Sequence, residues 1–182
     1  MRIIAGRFRG RRLHGPGRAA IRPTSDALRE TLFNVLGPGI EGLRVVDGFA
    51  GTGALGLEAL SRGAAEVTFV ERDQRAIRVL EANVALCGSP EACAIIRDDF
   101  LGIATRRGLG HSSDLVLVDP PYDLKDLDAV LGTAASLAVA GGRVVLEHSR
   151  RRAVPESVSG LRQTRVLVAG DSALSFYAAS TP

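Results

Sequence analysis

Leu115-Val116-Leu117-Val118-Asp119-Pro120-Pro121-Tyr122 is the stretch on which the fold turns. Its first four residues are apolar and rich in β-branched side chains, as in a strand buried on both faces of a parallel sheet. Two consecutive prolines cannot continue a strand or open an ordinary helix, so the chain must turn rigidly there. A carboxylate, two prolines and an aromatic ring therefore stand at the carboxyl end of a sheet strand, where open α/β folds bind ligands.

On either side the pattern alternates between strand and helix. Arg44-Val45-Val46-Asp47 reads as a strand, followed by a helix from Ala54 to Arg62 that Gly63 ends. Val67 to Val70 reads as a second strand, and Asp73 to Cys87 as a helix with Ile77, Leu80 and Val84 on one face. Ala94 to Arg97 and Asp114 to Val118 read as the third and fourth strands, with a patternless loop from Thr105 to Ser113 between them. Leu127, Leu131, Ala134 and Ala138 mark a further helix, and Arg143 to Glu147 a fifth strand. Thr164 to Ala169 and Ala173 to Ala178 are strand-like runs joined by Gly170-Asp171-Ser172, a hairpin signal. Ahead of them all, Arg22-Pro23-Thr24-Ser25-Asp26 announces a helix capped by Thr24 or Ser25. Leu28, Leu32, Val35 and Leu36 form its apolar stripe, and Gly37-Pro38-Gly39 stops it. The expectation is an α/β domain over residues 23–182, doubly wound on a mostly parallel seven-stranded sheet closed by a C-terminal antiparallel hairpin.

Charge is distributed unevenly. Residues 1–22 hold seven arginines and no acid, while the whole chain of 182 residues carries only +3, so the remainder is net acidic. A positive segment of this kind points to a polyanionic partner. Ile3, Ile4, Phe8 and Leu13 interleave the arginines, which favours an ordered basic hairpin or extension over a disordered tail. Of 23 basic residues only Lys125 is lysine, a bias consistent with codon usage and given no functional weight. No apolar run approaches a bilayer span, and the amino terminus lacks the apolar core of a signal peptide. Cys87 and Cys93 have neither metal-site nor CxxC spacing, and are expected to be reduced thiols in a cytoplasmic protein.

Asp47-Gly48-Phe49-Ala50-Gly51-Thr52-Gly53 ends the first strand and opens a helix. Gly51 to Gly56 also reads as GxGxxG with Glu71 about 20 residues on, the fingerprint of a dinucleotide site. In that fingerprint, however, the first glycine comes directly off the strand, whereas here Asp47 ends it four residues before Gly51. The arrangement D-x-x-x-G-x-G matches S-adenosylmethionine-dependent methyltransferases instead. A dinucleotide needs helix N–H groups for its pyrophosphate. S-adenosylmethionine has no phosphate and offers an ammonium group to an acid such as Asp47. Glu71 suits ribose hydroxyls in either case. Asp99 is the favoured acceptor for an adenine amine with Phe100 beside the ring, and Asp98 is the competing choice.

These motifs resemble the RsmD-type small-subunit (16S) ribosomal RNA guanine-N2 methyltransferases, a Rossmann-like class I group using S-adenosylmethionine. The resemblance runs nearly end to end. It includes Arg2-Ile3-Ile4-Ala5-Gly6 with Arg9-Gly10-Arg11, Arg22-Pro23-Thr24, Arg29 to Asn34, Asp47 to Ala64, Phe69-Val70-Glu71, Asp119 to Tyr122 and Gly170 to Tyr177. Asp-Pro-Pro-aromatic is shared more widely among enzymes that methylate exocyclic nitrogens, so alone it fixes the reaction and not the substrate. Gly48 stands where relatives often have cysteine, with little consequence expected.

The resemblance implies a cofactor site at Thr24, Asp47, Gly48, Ala50, Gly51, Gly53, Glu71, Arg72, Asp99, Phe100 and Asp119, releasing S-adenosylhomocysteine and using no metal. Thr24 is the weaker member, since helix capping explains it as well. The catalytic group is Asp119, Pro120, Pro121 and Tyr122. Asp119 and the Pro120 carbonyl would hold the two hydrogens of the guanine amine, and Tyr122 would stack on the extruded base. Arg7, Arg9, Arg11, Arg12 and Arg22 would hold the backbone of 16S ribosomal RNA, within the small subunit or an assembly intermediate. Loss of the arm should then abolish RNA binding and spare cofactor binding. A monomer without membrane contact is expected.

His14, His111 and His148 show no mutual spacing for a metal or triad, and Arg150-Arg151-Arg152 reads as a solvated edge ahead of a phosphate contact. Three other classes remain open at this point. A nicotinamide-dependent oxidoreductase explains the glycines and Glu71 but not Asp119 to Tyr122. A methyltransferase for DNA adenine-N6 or cytosine-N4, or for transfer RNA guanine-N2, shares the same logic. A non-catalytic RNA-binding protein needs only the arm.

Overall fold

The structure is a computed structural model that describes residues 1–15 and 26–180. Thr24, Ser25, Arg18 and Arg22 lie outside the described residues. The strands are β1 (Arg44–Gly48), β2 (Glu66–Glu71), β3 (Cys93–Arg97), β4 (Ser113–Val118), β5 (Ala138–Ser149), β6 (Ser157–Val158), β7 (Leu161–Ala169) and β8 (Ser172–Ala179). The helices are α1 (Asp26–Leu36), α2 (Ala54–Ser61), α3 (Gln74–Cys87), α4 (Ile103–Arg107) and α5 (Leu127–Leu137). They build one eight-stranded sheet in the order β3-β2-β1-β4-β5-β8-β7-β6. The pairs from β3 to β5 are parallel, and β8, β7 and β6 run antiparallel.

The deciding stretch behaves as its composition requires. Leu115 and Leu117 enter the core on one face of the sheet, and Val116 and Val118 enter the core on the other. This is the period-2 alternation of a strand covered on both sides. The first face is packed by α1, α2 and α3, the second by α4 and α5. No helix among the described residues is long and apolar enough to cross a membrane.

Three differences from the sequence reading have local causes. The sheet has eight strands rather than seven, because the two-residue β6 pairs with the start of β7. Helix α4 occupies part of the segment read as loop. It is a single short turn between Gly102 and Gly108, both in the left-handed region, and five residues carry no detectable period. Strand β5 starts at Ala138, which pairs with Ser113. The chain then bulges through Gly141 (φ +73°) before Arg143 meets Leu115 and regular pairing begins where the sequence places it.

The largest difference concerns the amino terminus. Residues 1–13 do form a small hairpin, bridged at Arg2 and Arg12, but not a detachable one. Ile3, Phe8 and Leu13 are buried in the same core as α1 and α2. Their main chain is secured to α2 by Glu58, whose carboxylate accepts from Ile4 N at 2.8 Å and Ala5 N at 3.1 Å. Ser61 accepts from Phe8 N and donates to the Ala5 carbonyl. Gly6 makes this approach feasible, since a Cβ there would lie 1.8 Å from the Ser61 carbonyl oxygen. Glu58 also pairs with Arg62 at 2.8 Å and with the fully buried Arg29 at 3.8 Å. Burial pulls Arg29 below the ordinary arginine value, and the charges of Asp26 and Glu58 push it back. Removing the whole arm would therefore open the core and strip partners from a buried acid.

Glu58→Ala is expected to destabilise the protein by about 2–4 kcal/mol, because it leaves two main-chain N–H groups without their acceptor and leaves buried Arg29 with Asp26, at 3.0 Å, as its remaining acidic partner. Chemical denaturation of the variant and the parent measures this.

Candidate active site

The site is built where β1, β2, β3 and β4 end. Asp47 is the penultimate residue of β1 and is buried, with Oδ2 accepting from Gly56 N at 2.8 Å. Gly53, the residue before α2, makes no side-chain cap, so Asp47 supplies that service from the neighbouring strand. Burial pushes its carboxyl well above the ordinary aspartate range. The Gly56 N–H pulls it back, and Asp119 and Glu71 nearby push it further up.

The glycines of this turn have different jobs. A Cβ on Gly53 would lie 2.3 Å from Leu80, and one on Gly56 2.4 Å from the Phe69 ring, so both serve close packing. Gly51 is open, adopts φ +55°, and donates its N–H to Glu71 Oε2 at 2.8 Å. Glu71 Oε1 accepts from Arg72 N and Asp73 N, so this one carboxylate ties the end of β2 to the glycine turn. Phe49 holds φ +60°, a region costly for a bulky residue, and packs its ring 5.1 Å from that of Phe100.

A cleft opens between these strand ends, lined by Phe49, Val70, Glu71, Arg72, Asp98, Phe100, Asp119 and Pro121. The structure thus brings together Glu71, Arg72, Phe100, Asp119 and Pro121 of the expected residues. Asp98, the competing choice, is among the cleft-lining residues and Asp99 is not, although the Asp99 carboxylate pairs with Arg72 of that lining at 3.0 Å and accepts from Leu101 N at 2.9 Å. Arg107 and Arg106 both bind Asp98 at 2.9 Å and hold its carboxyl below the usual range. Thr24 and Arg22 lie outside the described residues. Phe49 and Val70 line the cleft although sequence reasoning did not single them out. The signal for Phe49 was its place between Gly48 and Ala50 in the turn.

Pro120 is buried, and Tyr122 stands at the rim with 41% of its surface exposed. Its hydroxyl lies 2.6 Å from Ser172 Oγ and donates to Glu147 at 3.4 Å. His148 is buried with Nε2 2.8 Å from Ser175 Oγ and Nδ1 2.9 Å from the Ser149 carbonyl. Burial lowers its pKa, which suits a neutral structural imidazole. Among the described residues no group of three His, Cys, Asp or Glu side chains could hold a metal ion.

The arrangement discriminates between ligands. The first turn of α2, where a dinucleotide pyrophosphate would sit, already has the Asp47 carboxylate on its Gly56 N–H. The charged residues of the cleft are three acids, Glu71, Asp98 and Asp119, against the single arginine Arg72, so its lining is net acidic. Such a lining repels phosphate and suits hydroxyl groups and positive charge.

Residues 1–178 match the family model described as Conserved hypothetical protein 95. The chain belongs to the RsmD family. The relative named "Putative rRNA methyltransferase YlbH" of Bacillus subtilis is 35% identical over 182 residues, covering 97% of this chain and 98% of its own length. "Ribosomal RNA small subunit methyltransferase D" of Escherichia coli K12 is 43% identical over 122 residues, covering 67% of this chain and 60% of its own length. The solved structure titled "Putative methyltransferase yhhF from Escherichia coli" superposes with a TM-score of 0.82 at 33% identity, over 100% of this chain and 99% of that one. The fold is accordingly the Rossmann-like methyltransferase fold.

Gly48 is closely packed in this chain. A Cβ there would lie 2.4 Å from the Phe100 ring and 3.0 Å from Val118, so a side chain at 48 would have to displace that ring. Gly48→Cys is expected to cost about 1–3 kcal/mol through overpacking. The cost should shrink when the same change is made in a Phe100→Ala background, and a double-mutant cycle on unfolding free energies reads this coupling.

Proposed function

We propose that this chain transfers the methyl group of S-adenosylmethionine to the exocyclic N2 amine of a guanine in small-subunit ribosomal RNA, in the cytoplasm. The observation that carries the reading is the opening of Asp119 and Pro121 into the same cleft as Glu71 and Phe100. An acceptor motif for exocyclic amines thereby meets the strand ends that suit an adenosyl ligand. The names of the Escherichia coli and Bacillus subtilis relatives support ribosomal RNA as the substrate.

When bound, S-adenosylmethionine supplies an electrophilic methyl group on a sulfonium sulfur. Glu71 would accept from ribose hydroxyls, Phe100 would lie against the adenine, and Asp98 or Asp99 would accept from its amine. Asp47 answers the ammonium group, whose charge would offset the burial of that carboxylate. On the acceptor side, the lone pair of a guanine amine is delocalised into the ring. Asp119 and the Pro120 carbonyl are two acceptors for its two hydrogens, and holding both orients the nitrogen and stabilises its developing positive charge. The departing proton goes to Asp119 or to solvent. Tyr122 offers an exposed ring face for an unstacked base.

The arm supplies backbone contacts. Arg7, Arg9, Arg11 and Arg12 are exposed, and the guanidiniums of Arg7 and Arg11 lie 4.5 and 4.9 Å from the centre of the Phe8 ring. Arg11 also donates to the Leu86 carbonyl, which fixes it to α3.

Labelled S-adenosylmethionine incubated with small subunits from cells lacking this gene, followed by nucleoside analysis, tests the reading. The label should appear as N2-methylguanosine, and Asp119→Ala should slow transfer about 100-fold or more. Label in another nucleoside, or near-normal turnover by Asp119→Ala, overturns it. Replacing Arg7, Arg9 and Arg12 by alanine should flatten the dependence of log affinity on log salt by about 2–3 and leave S-adenosylhomocysteine binding intact. An unchanged salt slope would remove the arm from the RNA interface.

A further inference from the structure

The run Arg150-Arg151-Arg152 does not behave as one solvated edge. Arg150 closes the β7–β8 turn, its main-chain N–H donating to the Asp171 carbonyl at 2.9 Å and its guanidinium to the Gly170 carbonyl at 3.3 Å. Arg151 is exposed. Arg152 is half-buried and turns onto the loop that follows Pro121. Its Nη1 donates to the carbonyls of Tyr122, at 3.4 Å, and Leu124, and its Nη2 donates to the carbonyl of Lys125.

A guanidinium is planar and presents its donors in a rigid fork, so three carbonyls of one short loop bound to it have little freedom relative to each other. The same loop is fastened twice more. Leu124 N donates to the Pro121 carbonyl at 2.9 Å, and the Tyr122 hydroxyl meets Ser172 at the start of β8. Without Arg152 the main chain between Tyr122 and Lys125 would lose its three carbonyl contacts to the guanidinium, leaving the turn at Pro121 and the hold on the Tyr122 side chain.

We propose that Arg152 is a positioning residue for the acceptor side of the site. It holds the main chain of residues 122–125 so that the Pro120 carbonyl and the Tyr122 ring keep their places beside Asp119. This rests on the methyl-transfer reading, and deepens it by adding a contributor from beyond the fifth strand that touches neither cofactor nor base. A lysine in its place would bring one compact charge without the fork, and would hold fewer of the three carbonyls.

The chain has two tyrosines and no tryptophan, so Tyr177→Phe leaves Tyr122 as its sole tyrosine emitter. In that background Arg152→Ala, Arg152→Lys and Arg151→Ala are compared. Arg152→Ala is expected to lower the Tyr122 fluorescence anisotropy and to slow single-turnover methyl transfer about 10–100-fold at saturating small subunits. S-adenosylhomocysteine affinity should stay within about twofold, because the cofactor side is untouched. Arg152→Lys should recover part of both signals, and Arg151→Ala should change neither. Unchanged anisotropy and rate in Arg152→Ala overturn the proposal. So does a loss of rate matched by an equal loss of cofactor affinity, which would make Arg152 a support of the whole fold. If the parent protein transfers no methyl group, the methyl-transfer reading fails, and the anisotropy comparison alone decides whether Arg152 restrains the loop.

Discussion

The hydrogen bond from Gly56 N to the buried Asp47 carboxylate is the constraint on which the site depends. It joins the end of a central strand to the first turn of the helix that follows, and so sets the path of everything between them. The turn from Phe49 to Gly53 is then closed from the other side by Glu71, which accepts from Gly51 N. Two carboxylates on adjacent strands thus shape one glycine-rich turn. They also fill the position where a helix start would otherwise attract phosphate, and the same bond that builds the turn chooses the class of ligand.

Below that turn, α2 carries a second buried acid. Glu58 gathers Arg29 from α1, Arg62 from the end of its own helix, directly after Ser61, and two main-chain N–H groups from the amino-terminal hairpin. Buried charges persist only where partners repay their desolvation, and here the partners are supplied by three separate segments. The basic arm is consequently a rigid ridge on the catalytic domain. Its arginines project from a backbone that the core already holds.

The central strands were legible because burial on both faces writes an unbroken apolar run, as in Leu115 to Val118, and because Asp47 and the paired prolines punctuate strand ends. Which of Asp98 and Asp99 lines the cleft was not legible. Strand β3 is an edge strand of mixed exposure, so its composition does not reveal which of two successive acids turns inward. The role of Arg152 depends on bringing its turn onto a loop about 30 residues earlier, which no local pattern records. The docking of the hairpin depends on partners still farther along the chain. Gly48 shows the opposite limit, where a residue that reads as a neutral exchange is fixed by a ring 52 positions away.

The hairpin is held by partners far along the chain. Phe8 waits for Ser61, Ile4 for Glu58 and His14 for Asn83, separations of 53, 54 and 69 residues. Until α2 and α3 have emerged, Ile3, Phe8 and Leu13 have nothing to cover them, and each closure carries the entropy of a long loop. The five arginines among these side chains, Arg2, Arg7, Arg9, Arg11 and Arg12, repel one another, and like charge of this kind opposes association of an uncovered apolar segment. The arginines that project from the folded hairpin are thus of the kind that gatekeep an apolar segment before it is covered.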